Sequence, residues 1–229
     1  VKLNNGVEMP QLGFGTLHLP QETCAENVAN AIRLGFRLID TAKNYANEEE
    51  VGRGIKISGV PREQLFITTK LWIKDYGYER AKQAFEASLK RLGTDYIDLY
   101  LLHQPFGDVH GAWRALEELY EEGKIRSIGV SNFYPDRLVD ICSFSRIKPM
   151  VNQVEVHPFY QQEEAKKWMD KYSVQIEAWA PFGEGRGNMF QNPVLNEIGK
   201  KYGKSAAQVI LRWHLQRGVV VMPKSTHIE

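Results

Sequence analysis

From Leu12 onward, short apolar runs alternate with longer segments in which apolar residues return every three or four positions. The short runs are Leu12–Gly15, Phe36–Asp40, Leu65–Lys70, Ile97–His103, Ile125–Ser131, Met150–Val156, Val174–Trp179 and Val219–Met222. Most are continuously apolar, as strands are when both faces of their sheet are covered. The segments between them are amphipathic at helical spacing. Ala25, Val28, Ala29 and Ile32 form one stripe, and Ala81, Ala84, Phe85, Ser88, Leu89 and Leu92 form another. Ala165, Trp168, Met169 and Tyr172 repeat the pattern, and glycines follow several of these helices, at Gly35, Gly93, Gly123, Gly203 and Gly218. Ahead of the repeat, Lys2-Leu3-Asn4-Asn5-Gly6-Val7 predicts a short hairpin on an Asn-Gly turn.

Strict strand–helix alternation leaves two main α/β architectures, a doubly wound open sheet or a closed barrel. An open sheet that binds a dinucleotide carries a G-x-G-x-x-G turn after its first strand. Gly13-Phe14-Gly15-Thr16 begins that way, but Leu17-His18-Leu19 brings no third glycine. Eight strands match the count of a (β/α)₈ TIM barrel, which is the predicted fold, with residues 1–229 as one domain. Thr226-His227-Ile228-Glu229 has the form of a capping box, where the barrel's last helix should open. The expectation is therefore a chain whose C-terminal helix region is truncated or disordered after Glu229.

Composition narrows the possible partners. In 229 residues, 29 Lys and Arg nearly balance 28 Asp and Glu, so no electrostatic case exists for nucleic acid or an anionic membrane. No apolar run approaches the ~20 residues of a membrane span. The two cysteines, Cys24 and Cys142, fall in separate predicted helices and form no metal-type pair. The expectation is a cytoplasmic monomer with free thiols.

In a barrel, the carboxyl ends of the strands converge on one mouth, where catalysis takes place. Asp40 ends the second strand and Tyr45 follows it; Lys70 ends the third and His103 the fourth. Each has an ordinary structural reading taken alone: a capping aspartate, a half-exposed aromatic, a rim lysine, a hydrogen-bonded histidine. Together they are harder to dismiss, because burying an Asp and a Lys side by side costs several kcal/mol of desolvation. A functional reading gives each group a task. A tyrosine ordinarily loses its proton near pH ~10, and bringing that towards neutrality takes about 4 kcal/mol. One cation at ~4 Å supplies this at an effective dielectric of about 20. Lys70 is the candidate cation, Asp40 would keep it charged, and His103 would donate to a substrate oxygen. Such a site suits protonating the oxyanion formed when hydride reaches a carbonyl carbon.

Several segments in order carry a resemblance to a known family. They are Gly13-Phe14-Gly15-Thr16, Asp40-Thr41-Ala42-Lys43-Asn44-Tyr45, Thr69-Lys70-Leu71-Trp72 and Leu101-Leu102-His103, then Gly129-Val130-Ser131-Asn132-Phe133, Asn152-Gln153-Val154-Glu155 and Pro223-Lys224-Ser225. The chain resembles the aldo-keto reductases over essentially its whole length, and is similar to their bacterial diketogluconate-reductase-like branch. The resemblance implies NADPH extended across the mouth and a small carbonyl substrate. It assigns the carboxamide to Ser131, Asn132 and Gln153 and the nicotinamide face to Trp179, for which core packing is the alternative. It places Pro181, Phe182 and Gly183 along the pyrophosphate, Lys224 and Ser225 at the adenosine phosphates, and Gly15, Thr16 and Asp40 among the cofactor contacts. Relatives carry beyond this point an arginine for the 2′-phosphate and a tail closing the pocket. Gly183-Glu184-Gly185-Arg186-Gly187 reads either as a strap over the cofactor or as a plain mobile loop.

Substrate expectations come from departures. Leu17 and Gln104 stand where many relatives place aromatic residues, which leaves Trp72, beside His103, as the main aromatic wall of an open pocket suited to small or polar carbonyls. Two other functions remain open. One is a cofactor-holding sensor or regulatory barrel without turnover, and the other is a lyase or isomerase using a Schiff base at Lys70.

Overall fold

The computed structural model describes residues 1–226. Eight strands run parallel in sequence order: β1 Gly13–Gly15, β2 Leu38–Asp40, β3 Phe66–Leu71, β4 Leu99–Leu102, β5 Ile128–Ser131, β6 Val151–Glu155, β7 Gln175–Trp179 and β8 Val220–Val221. A parallel bridge from Leu12 to Val221 and a 2.9 Å bond from the Gly15 amide to the Pro223 carbonyl bring β8 back to β1. The predicted (β/α)₈ barrel is the observed fold. Each predicted strand is present, but several are shorter than their apolar runs. Ile97–His103 contracts to β4, preceded by an isolated bridge from Ile97 to Ile125, and the Asp98 side chain accepts from the Ile67 amide at 2.9 Å and pairs with Arg62 and Arg126.

Helices cover the barrel: α1 Gln21–Arg33, α2 Glu48–Ser58, α3 Tyr78–Leu92, α4 Val109–Glu121, α5 Pro135–Phe144, α6 Glu163–Tyr172, α7 Pro193–Tyr202 and α8 Ala206–Gln216. Their inward stripes are the predicted ones: α1 buries Cys24, Ala25, Val28, Ala29 and Ile32, and α3 buries Ala81, Ala84, Phe85, Leu89 and Leu92. Gly93 and Gly203 end α3 and α7 in the left-handed conformation, at φ +66° and +63°. Both α7 and α8 precede β8, and α8 opens with a capping box of its own, formed by Ser205 and Gln208. The capping box read at residues 226–229 extends outside the described residues.

The two ends of the barrel differ. The N-terminal hairpin forms as predicted, with the Leu3 amide bonded to the Val7 carbonyl at 2.9 Å. It closes the amino end, where Asn4 donates to the Pro149 and Ser173 carbonyls and Leu3 and Met9 are buried. The carboxyl end carries the longer loops and stays open to solvent. Cys24 and Cys142 are both buried free thiols, which burial pushes up to about 11, so neither is a thiolate at neutral pH.

Packing between α1 and α2 makes a testable point. A Cβ on Gly54 would lie 2.6 Å from the Ala25 carbonyl oxygen and 2.7 Å from the Val28 Cβ. In an exposed helix Gly→Ala stabilises by about 1 kcal/mol. Here the close approach reverses the sign, and Gly54→Ala should destabilise by about 1–3 kcal/mol in chemical denaturation. A stabilised variant would show that α1 can move aside without cost.

Candidate active site

Asp40 closes β2, and the chain then makes a 3₁₀ turn at Lys43–Tyr45 that ends on left-handed Ala46, φ +55°. Asn47 locks this turn from behind: its amide donates to the Thr16 carbonyl at 2.9 Å, and its carbonyl oxygen accepts from the Thr41 hydroxyl at 2.8 Å. The turn swings Tyr45 back over the mouth, half-buried. Lys70, next to last in β3, is fully buried, and His103, directly after β4, is nearly so. Tyr76 fixes the loop beyond His103; its hydroxyl donates to the Gln104 carbonyl at 2.7 Å and accepts from the Gln104 amide at 3.1 Å.

The four predicted residues meet. The Lys70 ammonium donates to Asp40 Oδ1 at 2.7 Å, to the Thr41 carbonyl at 2.9 Å and to the Tyr45 hydroxyl at 3.3 Å. All three of its donors are therefore used. Asp40 Oδ2 accepts from the Gln153 amide at 2.9 Å. The His103 ring stands edge-on to Tyr45 and to Trp72, with centroids 5.8 and 5.1 Å apart, which sets Trp72 beside His103.

The local electrostatics favour a charged Lys70 and run against a lowered Tyr45 phenol. Burial alone would discharge Lys70, but Asp40 and then Tyr45 outweigh it and hold the ammonium above its ordinary value. For Tyr45 the expected fall does not occur in this structure. Burial raises its phenol by more than Lys70 lowers it, and Asp40 adds to the rise. The main reason is that burial disfavours the phenolate, and the carboxylate that balances Lys70 adds to it. Burial, assisted by Lys70, takes His103 down to about 3, so its imidazole is neutral and any hydrogen bond it donates comes from a neutral N–H.

Further round the mouth, the other predicted residues share one rim. Asn132, in the left-handed conformation after β5, donates to the His103 carbonyl at 3.1 Å and accepts from Trp179 Nε1 at 2.9 Å. This bond orients the half-buried indole at the end of β7. Ser131 donates to the Gln153 carbonyl at 2.9 Å, and both residues are buried behind Asn132. Thr16 is buried, its amide on the Asp40 carbonyl, while Gly15 is tied to Pro223; Lys224 and Ser225 are exposed. Pro181 and Gly183 are buried, Phe182 partly so, and Phe182 packs on Phe190 with centroids 5.4 Å apart. The segment Gly183–Gln191 coils over this side through left-handed turns at Glu184, Gly185, Gly187 and Asn188.

Three contributors escaped the sequence reading: Asn47, Tyr76 and Glu177. Glu177 is the most visible in retrospect, an acidic residue in the otherwise apolar β7 on the same face as Trp179. Away from the mouth, a cleft of about 490 Å³ opens beside α2 and α3. Its three arginines are committed elsewhere, Arg53 to Glu50, Arg62 to Asp98 and Arg91 to Glu48. Among the described residues no group of three or more His, Cys, Asp or Glu could hold a metal ion, and no helix is long and apolar enough to cross a membrane.

Comparison with known proteins agrees with this geometry. A sequence profile of the Aldo/keto reductase family matches residues 11–229. Glyoxal reductase of Bacillus subtilis is 53% identical over 98% of this chain and 82% of its own length. The crystal structure of an aldo-keto reductase from a Medee basin deep-sea metagenome library superposes with a TM-score of 0.97 at 45% identity, covering 100% of this chain and 85% of that one. The Bombyx mori aldo-keto reductase in complex with NADP does so with a TM-score of 0.95 at 35% identity, covering 100% and 83%. The chain belongs to the aldo/keto reductase family.

Proposed function

We propose that the protein reduces small aldehydes and ketones to alcohols with NADPH, and that Tyr45 supplies the proton. The observation that carries this is the line Tyr45–Lys70–Asp40, a phenol on a buried, charge-balanced ammonium at the barrel mouth. Bound there, the cofactor supplies hydride to the carbonyl carbon. Tyr45 donates its proton to the resulting oxyanion, and Lys70 stabilises the phenolate left behind. The raised phenol is compatible with this role: a protonated tyrosine is the form that donates, and an alkoxide is basic enough to take the proton. Neutral His103 orients the carbonyl oxygen by a hydrogen bond rather than as an acid.

The residues present fit a dinucleotide across the mouth. Trp179 offers an indole whose ring is set by Asn132, suited to stacking on the nicotinamide, with Asn132, Ser131 and Gln153 at its carboxamide. Pro181, Phe182 and Gly183 would border the pyrophosphate beneath the Gly183–Gln191 segment. Lys224 and Ser225, with Gly15 and Thr16 nearby, would complete the phosphate side. The NADP complex of the Bombyx mori relative supports this cofactor. The similarity to glyoxal reductase and the solvent-open side beyond Gln104 favour compact, polar carbonyl compounds such as dicarbonyls. Small size and polarity also suit a pocket whose main aromatic wall is Trp72. A monomer in the cytoplasm remains the expected form.

Two measurements test this reading. With glyoxal and NADPH, Tyr45→Phe should lose about 10²–10⁴ in turnover while cofactor affinity changes little, because general acid catalysis is worth that much. Lys70→Met should be comparably damaging. Activity of Tyr45→Phe within a few-fold of the parent would exclude Tyr45 as the acid, whereas absence of turnover in the parent itself would favour the sensor reading. Separately, the quench of tryptophan fluorescence on adding NADPH should shrink clearly in Trp179→Ala, and an unchanged quench would place the nicotinamide elsewhere.

A further inference from the structure

Glu177 is a buried acid near the mouth that the proposed chemistry does not use. It stands on β7 as the register partner of Gln153 on β6 and is fully buried. Among the described residues neither of its carboxyl oxygens completes a hydrogen bond. The Gln153 amide faces it and opposes the rise of its carboxyl, but the one side-chain hydrogen bond that this amide completes goes to Asp40. On its other side β8 presents Val220, which brings no charge. The charged and titratable groups facing it are Asp40 from β2, Lys70 from β3 and Tyr45 from the turn after β2. An ionised carboxylate with no donor in such a place is strongly disfavoured, whereas a protonated one is not.

We propose that Glu177 is a positioning residue, held as a neutral carboxylic acid beneath the Tyr45–Lys70–Asp40 line, whose ionisation sets the alkaline limit of proton donation by Tyr45. Burial first, and then the charge of Asp40, push its carboxyl up to about 8 against the opposing pull of Lys70. Below that pH, Lys70 is balanced by one carboxylate. Above it, a second negative charge appears in the same layer of the barrel and holds the phenolic proton more tightly. At an effective dielectric of about 20, a unit charge at neighbouring-strand distance changes a proton-transfer equilibrium by roughly tenfold or more. Reduction should therefore fall as pH rises through the titration of Glu177. This inference rests on Tyr45 being the acid.

The test compares the pH profile of turnover, with saturating NADPH and glyoxal, in the parent protein and in Glu177→Gln, which is nearly isosteric and permanently neutral. The parent should lose several-fold between about pH 7 and about pH 9.5, and the variant should keep its activity to at least about one pH unit higher. A purely structural role would lower turnover or stability without moving the limb. An identical alkaline limb in both proteins overturns the proposal. Independently, the parent labelled with ¹³C at glutamate side-chain carboxyls should show by NMR one carboxyl titrating near pH 8 while the rest titrate in acid. Absence of an alkaline glutamate also overturns it. Should Glu177→Gln fail to fold, the parent's activity limb must coincide with that carboxyl's titration, and a mismatch of a full pH unit decides against the idea. Failure of the Tyr45 reading would show instead as retained activity in Tyr45→Phe, with the carboxyl titration untouched.

Discussion

A lysine with no exposed surface is the constraint on which the rest of the mouth depends. An ammonium removed from water is tolerable only when every donor is used and its charge is met, and Lys70 satisfies both conditions. Meeting them fixes the surroundings. Asp40 must end β2 where it does, the Thr41 carbonyl must point inward, and Tyr45 must return over the site on a tight turn. Gln153 then holds the far oxygen of Asp40, so the pair links β2, β3 and β6 across the barrel. Loss of either charged partner would leave the other buried and unmatched, which is far more costly than the pair's net contribution to stability.

The barrel supplies what these side chains cannot arrange for themselves. Parallel strands deliver their carboxyl ends to one side, so residues far apart in sequence become neighbours: Asp40 and Gln153 are 113 positions apart and share a hydrogen bond. Rigid strands hold Lys70, Ser131 and Gln153, while loops carry Tyr45, His103 and Asn132, and each loop is pinned by a bond to its neighbour. Asn47 pins the Tyr45 turn to Thr16, Tyr76 pins Gln104, and Asn132 ties the His103 loop to Trp179. The site is thus held by the protein's own hydrogen bonds, which is the condition for electrostatic stabilisation without reorganisation.

The strands and the central residues were legible in the sequence because their signals are local. An apolar run reports a buried strand, and a polar residue at its carboxyl end reports the mouth. Asp40, Lys70 and His103 were found this way, with Tyr45 close behind. Asn47 and Tyr76 were not, since an asparagine before a helix and an aromatic in a loop have many ordinary explanations and their partners lie in other segments. Glu177 lay within reach of the method, because its place on the face of Trp179 follows from strand alternation alone. Strand ends were overextended because an apolar run continues past the last paired residue, as at Ile97, which keeps only an isolated bridge to Ile125.

The direction of the Tyr45 shift could not be read from spacing, because it depends on the balance between burial, Lys70 and the neighbouring carboxylates. A lone cation beside a phenol lowers it, which is the inference that proximity invites. In this barrel, the carboxylate that keeps Lys70 charged also cancels much of its field, and burial then dominates. Asp40 is therefore a compromise. Without it the lysine would discharge, and with it the tyrosine keeps its proton. On the proposed mechanism that compromise is useful in one direction. A protonated phenol can give its proton to an alkoxide at once, whereas oxidation of an alcohol would first require a phenolate that the free site disfavours. On that mechanism, the same electrostatics that permit a buried lysine also keep Tyr45 in the protonated form that donates.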